Sequence, residues 1–163
     1  LWERGTFGHG TSLHQESLLS PLAIEVDGTE GLQAPQRSSS ADLAPTILDM
    51  AGIPVPASMQ GLSLFSGRTA LDARPIIAAL SDGSRSVRWG RYKLIKPATG
   101  PLALYDLESS PAEHKDIAAQ NGPVVRALRV VLSTSVAYES VWSTARWGIY
   151  SSPSESFARD QGM

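Results

Sequence analysis

The sequence predicts an α/β chain: a helix-and-strand portion, then a small antiparallel sheet packed on a helix. Three observations predict it. Leu43, Ile47 and Met50 recur at helical spacing. Two strand-like runs, Ser84 to Trp89 and Tyr92 to Lys96, flank Gly90-Arg91, a two-residue hairpin signal. Val124, Val125, Leu128, Val131, Leu132 and Ser135 then make one stripe of a longer helix over about 123–144, flanked by Arg126 and Arg129.

Taken in order, Gly5, Gly8 and Gly10 give the opening segment unusual backbone freedom. A short helix follows from Ser12 to about Leu19, with Ser12 as N-cap and Gln15 closing a capping box. Pro21 ends it and starts a strand from Leu22 to Val26, and Asp27-Gly28 turns the chain. Residues 28–40, rich in Gly, Gln, Ser and Pro, form a surface connection. A second helix runs from Ala41 to Ala51. Pro45 is tolerated only in a first turn, so that helix starts near Ser40 or Asp42, and Gly52 ends it. Pro75 to Leu80 and Leu102 to Leu107 complete the sheet. Ser110-Pro111-Ala112-Glu113 has the form of a capping box and predicts another helix start. The end, from Arg146, is polar and without periodicity, and is expected to be extended or disordered.

Composition bounds the function. The 163 residues suffice for one domain, and 42% hydrophobic with 18% charged residues is ordinary for a globular protein. A net charge of -2 gives no basic stripe and no reason to expect a nucleic-acid partner. No apolar run approaches the ~20 residues that cross a bilayer. Cysteine is absent, which excludes disulfides and thiolate metal sites within the chain and leaves the compartment open.

Three stretches carry a family resemblance. The run Leu1 to Leu22 resembles the sulfatase (alkaline phosphatase superfamily, arylsulfatase-like) pattern L-G-E-H-G-x-[FW]-G-[HK]-G-x-S-L-Y-E-E-x-x-R-V-P-L. Leu1, Glu3, Gly5, Phe7, Gly8, His9, Gly10, Ser12, Leu13, Glu16, Pro21 and Leu22 match it. Asp42 to Pro56, with the turn Met59-Gln60-Gly61-Leu62-Ser63-Leu64, is similar to D-L-x-P-T-[IL]-L-x-x-A-G-[IV]-x-x-P and [MQ]-x-G-x-S-L. Val87 to Ile95 and Leu104 to Glu113 are similar to V-R-x-G-x-[WY]-K-L-I and L-Y-D-L-x-x-D-P-x-E, with Ser110 in place of the usual Asp. The resemblance spans about residues 1–120.

The resemblance implies the C-terminal part of an alkaline-phosphatase-like α/β sandwich. Residues 1–70 would end the catalytic domain, 71–145 would form a small α+β subdomain, and 146–163 a polar tail. No Met stands at Leu1, and in the family a metal-binding Asp-His or Asp-Asn pair lies just before that position. The chain is therefore expected to be a fragment that needs the N-terminal part of the same protein. Its sheet would have an unpaired edge and its helices uncovered apolar faces. The parent would hydrolyse a sulfate ester, whether a small molecule or a sulfated glycan. The family's Ca²⁺ and its formylglycine nucleophile are implied upstream: this chain has no C-x-P-x-R or S-x-P-x-R motif. Alternatives are a phosphodiesterase or phosphonate hydrolase of the same superfamily, or a non-catalytic truncated relative. Family members are often periplasmic or extracellular.

His9 is the leading catalytic and substrate-binding candidate. The matching family residue faces the sulfate group, and cleavage concentrates negative charge on the sulfuryl and leaving oxygens. A cation or proton donor aimed there stabilises the transition state, and an imidazole with a pKa near neutrality can be either. The bland alternative is a loop histidine bonded only to backbone. His14, where the family has Tyr, could line the pocket entrance as a second substrate-binding residue, or stand exposed on its helix. Its five-residue spacing from His9 is not that of a helical zinc pair, and no metal ligand is assigned. Glu16 is expected to hold the loop by hydrogen bonds, and Leu19 replaces a family Arg. Lys93 reads as structural, Trp89 as core, His114 as a solvated helix residue, and Asp42 as a charge at a helix N-terminus.

Overall fold

The computed structural model describes residue 4, residues 10–25 and residues 37–147, without the side chains of 68 and 138–147. The strand-forming stretch gives β1 (Ile76–Ala79), β2 (Arg85–Trp89), β3 (Tyr92–Lys96) and β4 (Ala103–Asp106). They pair as an antiparallel meander in the order β1-β2-β3-β4. Trp89 pairs with Tyr92 across the Gly90-Arg91 turn, and Gly90 takes the positive φ of 60° that this tight turn requires.

Alternation then sorts the two faces of the sheet. Val87, Leu94 and Leu104 point one way and close over Leu128 and Leu132 of the long helix α4 (Gly122–Trp147), with Val124, Val125 and Val131 around them. This is the stripe expected from spacing. Ile95 and Tyr105 point the other way and pack with Leu13 and Leu107. The second face of the sheet is thus covered by the segment that follows the glycine-rich opening.

Three shorter helices complete the described fold: α1 (Gln15–Leu18), α2 (Leu43–Met50) and α3 (Arg68–Ala73). A single 3-10 turn, Ser40–Asp42, leads into α2 and is capped by Ser39 in a reciprocal capping box with Asp42. Asp42 is more than a charge at a helix end. Its buried carboxylate accepts from the amides of Ser39 (2.7 Å) and Leu62 (3.0 Å) and is paired with Arg74. Thr46 Oγ1 accepts from the amide of Leu64 at 3.0 Å, and Ser63 Oγ donates to Asp49 at 2.5 Å. The 61–64 turn is therefore sewn onto α2. Gly61 is required there, because a Cβ would sit 1.9 Å from the carbonyl oxygen of Ala41.

Several sequence expectations are corrected. Leu22 to Glu25 form no strand, and Leu22 and Ile24 are exposed. An extended segment needs a neighbouring ladder to satisfy its backbone, and none runs beside it among the described residues. Val26 lies outside those residues, as do the Asp27-Gly28 turn and residues 148–163. Ser12 does not cap α1. Its hydroxyl accepts from the amide of His14 at 3.2 Å, and the helix begins with His14 as N-cap. No helix starts at Ser110. The chain makes a turn there, Glu113 takes a positive φ of 53°, and exposed His114 lies in no helix. Trp89 is 43% exposed at the end of β2, its indole N–H donating to the carbonyl of Ala73, so it is not core. Leu43, Ile47 and Met50 share a face as spaced, but that face is exposed. No helix among the described residues is long and apolar enough to cross a membrane.

Candidate functional site

The site is built where the segment 10–18 meets the sheet. Gly10 has φ 77°, a conformation that L side chains rarely adopt. Three residues on, Leu13 is buried against Ile95, Tyr105 and Leu107 and fixes the segment to the sheet. That anchor brings His14 and the first turn of α1 over the buried end of the Lys93 side chain.

The organising group is Glu113. It is buried, yet its carboxylate comes from a turn some hundred residues downstream. Oε2 accepts from the Nδ1 of His14 at 2.9 Å and from the backbone amide of Gln15 at 2.8 Å. The amide of Gln15 is one of the unpaired donors at the start of α1, so a distant carboxylate takes the place of a local cap. Oε1 lies 2.6 Å from the Nζ of buried Lys93, in an ion pair. Lys93 Nζ also reaches Gln15 Oε1 at 3.3 Å. Burial raises the pKa of Glu113, but the bonds from His14, Lys93 and the Gln15 amide outweigh it and leave it lowered. Burial lowers the pKa of Lys93, and the Glu113 carboxylate opposes that only in part.

The ring of His14 has its edge towards Tyr105, with centroids 5.4 Å apart at 66°. Donation from Nδ1 to a carboxylate leaves Nε2 as the ring's second polar atom. Around this cluster, Arg4 donates to the carbonyls of Ala112 (2.7 Å) and Glu113 (2.9 Å) and, through Nε, to Glu16 at 2.8 Å. Glu16 therefore holds the opening segment by hydrogen bonds, as expected. Burial raises its pKa, but its own backbone amide and Arg4 outweigh that and lower it.

His9 lies outside the described residues. His14 is not a free surface histidine. It is half-buried and tied to Glu113. Among the described residues no group of three or more His, Asp and Glu side chains could hold a metal ion. Sequence reasoning missed Glu113 and Arg4 and saw in Lys93 only a sheet residue. The signal for two of them was present, since Lys93 and Glu113 both stand at lettered positions of the third motif. A groove of about 540 Å³ beside β1 and α4, lined by Pro75, Ile77, Val130 and Val131 among others, has no ionisable residue in its wall.

No family model matches the chain. Among solved structures, the crystal structure of Ps i-CgsB superposes with a TM-score of 0.51 at 20% identity, covering 57% of this chain and 23% of that one, which shows the fold. The same protein is also known in complex with k-i-k-neocarrahexaose. A presumed sulfatase from Bacteroides thetaiotaomicron superposes with a TM-score of 0.48 at 27% identity over 61% of this chain and 24% of that one. The chain is a C-terminal sulfatase-like region. It is similar in particular to arylsulfatase K: 30% identical to the rat protein over 149 residues and 29% to the mouse protein, with 80% of this chain covered in each case. It spans about a quarter of the length of these relatives, 26% and 27%.

Proposed function

We propose that this chain is part of a sulfuric ester hydrolase and contributes His9 to the pocket in which the sulfate ester is cleaved. The similarity to arylsulfatase K, together with the Gly8-His9-Gly10 match, carries this reading. The glycines let backbone come close to an anion, and the imidazole meets charge that appears only as the ester breaks. As sulfur bonds to a nucleophile supplied by sequence outside this chain and its bond to the ester oxygen opens, protonated His9 gives its proton to that leaving oxygen, so the alcohol departs neutral. His14, held on Glu113, borders the same segment and contacts the substrate beyond the sulfate. Ca²⁺ and the formylglycine nucleophile would be supplied by sequence outside this chain, which has no C-x-P-x-R or S-x-P-x-R motif and, among its described residues, no group of three or more His, Asp and Glu side chains that could hold a metal ion. The chemistry assigned to this chain therefore runs through its own side chains.

The substrate class we favour is a sulfated glycan, in line with a structural neighbour that binds an oligosaccharide. The exposed row of Leu43, Ile47 and Met50, with Ile53 and Val55 beyond it, supports a fold completed by further sequence of the same polypeptide.

The test is turnover of 4-methylumbelliferyl sulfate and of sulfated oligosaccharides by the complete polypeptide, with and without His9→Ala. Cleavage of a sulfate ester that falls by about 10²–10⁴-fold in the variant is expected for loss of a general acid. A complete polypeptide inert to sulfate esters but active on bis-4-nitrophenyl phosphate would move the assignment to the phosphodiesterases. Unchanged turnover in His9→Ala would remove His9 from the mechanism.

A further inference from the structure

Alternation puts Arg88 and Lys93 on the face of the sheet away from α4, side by side in the register of β2 and β3. The carboxylates near them are already engaged. Glu113 holds Lys93 and His14. Asp72 lies 3.7 Å from the Nε of Arg37, whose guanidinium also donates to the carbonyls of Gly90 (2.9 Å) and Asp72 (2.6 Å).

Arg88 is left over. Its Nε is buried without a hydrogen-bond partner, and no ion pair closes on its guanidinium among the described residues. A planar fork of donors is costly to leave idle away from water. Burial lowers the pKa of Arg88, and Arg37 lowers it further, while Glu113 and Asp72 oppose them only in part. Burial likewise lowers the pKa of Lys93, and Arg88 adds to that effect. The cations of this face, Arg37, Arg88 and Lys93, thus outnumber its described carboxylates, Asp72 and Glu113. The first motif shows where the imbalance arises. The sulfatase pattern has Glu at the position of Gln15, whose Oε1 lies 3.3 Å from the Nζ of Lys93. An uncharged amide stands where the pattern brings a carboxylate to this face, so the missing negative charge has to come from elsewhere.

We propose that Arg88, flanked by Arg37 and Lys93, is the receiving cation of an anion site on this face of the sheet, and that its ligand is one oxyanion, a sulfate or a carboxylate, that the described residues do not supply. Two oxygens of such a group accept parallel N–H bonds from one guanidinium, which a chloride ion does not match. The same chemistry has two sources: a free sulfate group, as an ion or on a sugar, and a carboxylate elsewhere in the complete polypeptide.

The experiment is thermal unfolding of the complete polypeptide as wild type, Arg88→Met and Arg88→Lys, in sodium sulfate and in sodium chloride of equal ionic strength. Arg88→Met keeps an apolar stem and removes the charge. With no anion at the site, Arg88→Met should be as stable as the wild type or more so, because it removes a half-buried charge that its surroundings disfavour. That result in both salts would overturn the proposal. A free oxyanion predicts that sulfate raises the Tm of the wild type, and that Arg88→Met needs on the order of 10-fold more sulfate for the same rise, as loss of a charge-assisted hydrogen bond implies. A carboxylate of the polypeptide predicts instead a lower Tm for Arg88→Met in both salts alike. Arg88→Lys separates this last result from lost packing. It keeps the charge and should recover part of the loss, and no recovery would overturn the proposal. None of these readouts requires turnover, so failure of the proposed hydrolase activity would leave them unaffected.

Discussion

Replacing Asp42 by Asn should release the 61–64 turn from α2. Asp42 has no exposed surface and three donors converge on it: the amides of Ser39 and Leu62 and the guanidinium of Arg74. An asparagine has one acceptor oxygen. If that oxygen keeps the amide of Leu62, the new NH₂ group faces both the amide of Ser39 and Arg74. An orphaned buried amide costs about 1–3 kcal/mol, and breaking a buried ion pair about 3–5 kcal/mol. The Arg74 side chain is 18% exposed, so water relieves part of the second term. Taken together the loss is about 3 kcal/mol, and at 1.4 kcal/mol per decade the local opening equilibrium shifts by about 100-fold. Native-state hydrogen exchange on the complete polypeptide reads this directly at the amides of Leu62 and Leu64, with the helical amides of 47–50 following. A change smaller than about threefold at Leu62 would refute the reasoning, because it would mean that the three contacts to Asp42 contribute little.

Two further outcomes are expected. Leu94→Ala, at a fully buried position facing Leu128 and Leu132, should destabilise by about 2–5 kcal/mol, whereas Ile47→Ala, at a side chain 64% exposed, should stay within about 0.5 kcal/mol; urea midpoints of the chain that reversed this order would place the core wrongly. Stability should also rise with pH at both ends of the range. The lowered pKa of Glu113 makes its contribution complete above the ordinary value of 4.5 and lost as pH falls through the lower folded value. The lowered pKa of Lys93 means the folded state binds that proton less firmly, so stability increases as pH approaches 10.5. Asp106, held well below the carboxylate range by Arg91, acts in the same direction in acid, so the diagnostic quantity is the difference from Glu113→Gln. Identical acid slopes in the two proteins would contradict the assignment.

What could be read in advance was what is local. The β2–β3 hairpin follows from alternation on either side of Gly90, and β3 has the predicted bounds. The core stripe of α4 follows from periodicity alone. The errors arise where a local pattern had a distant competitor. Ser110-x-x-Glu113 is the signature of a capping box, but the Glu113 side chain finds better partners in Lys93, His14 and Gln15 than in its own turn. Nothing at spacing three announces a partner 98 positions away. Trp89 shares its face with Val87, as alternation requires, but stands at the strand end, where its indole finds Ala73 instead of α4. The extended run from Leu22 needed a neighbouring strand that local sequence does not reveal. For the site, the first family motif singles out the segment in which His14 and Glu16 stand. Which groups hold that segment depended on contacts between the first motif and the third.

The span of the Glu113 contact also sets an order of events in time. On a ribosome adding about 5–20 residues per second, the 98 positions between Gln15 and Glu113 take roughly 5–20 s to emerge. Through that interval α1, four residues long, lacks the carboxylate that starts it, and a helix of that length does not persist in water without help. The start of α1 therefore acquires its final shape only when the last strand of the sheet has been made and the turn beyond it has closed. Within this stretch an earlier residue waits for a later one: α1 settles only after the turn that carries Glu113 has been made.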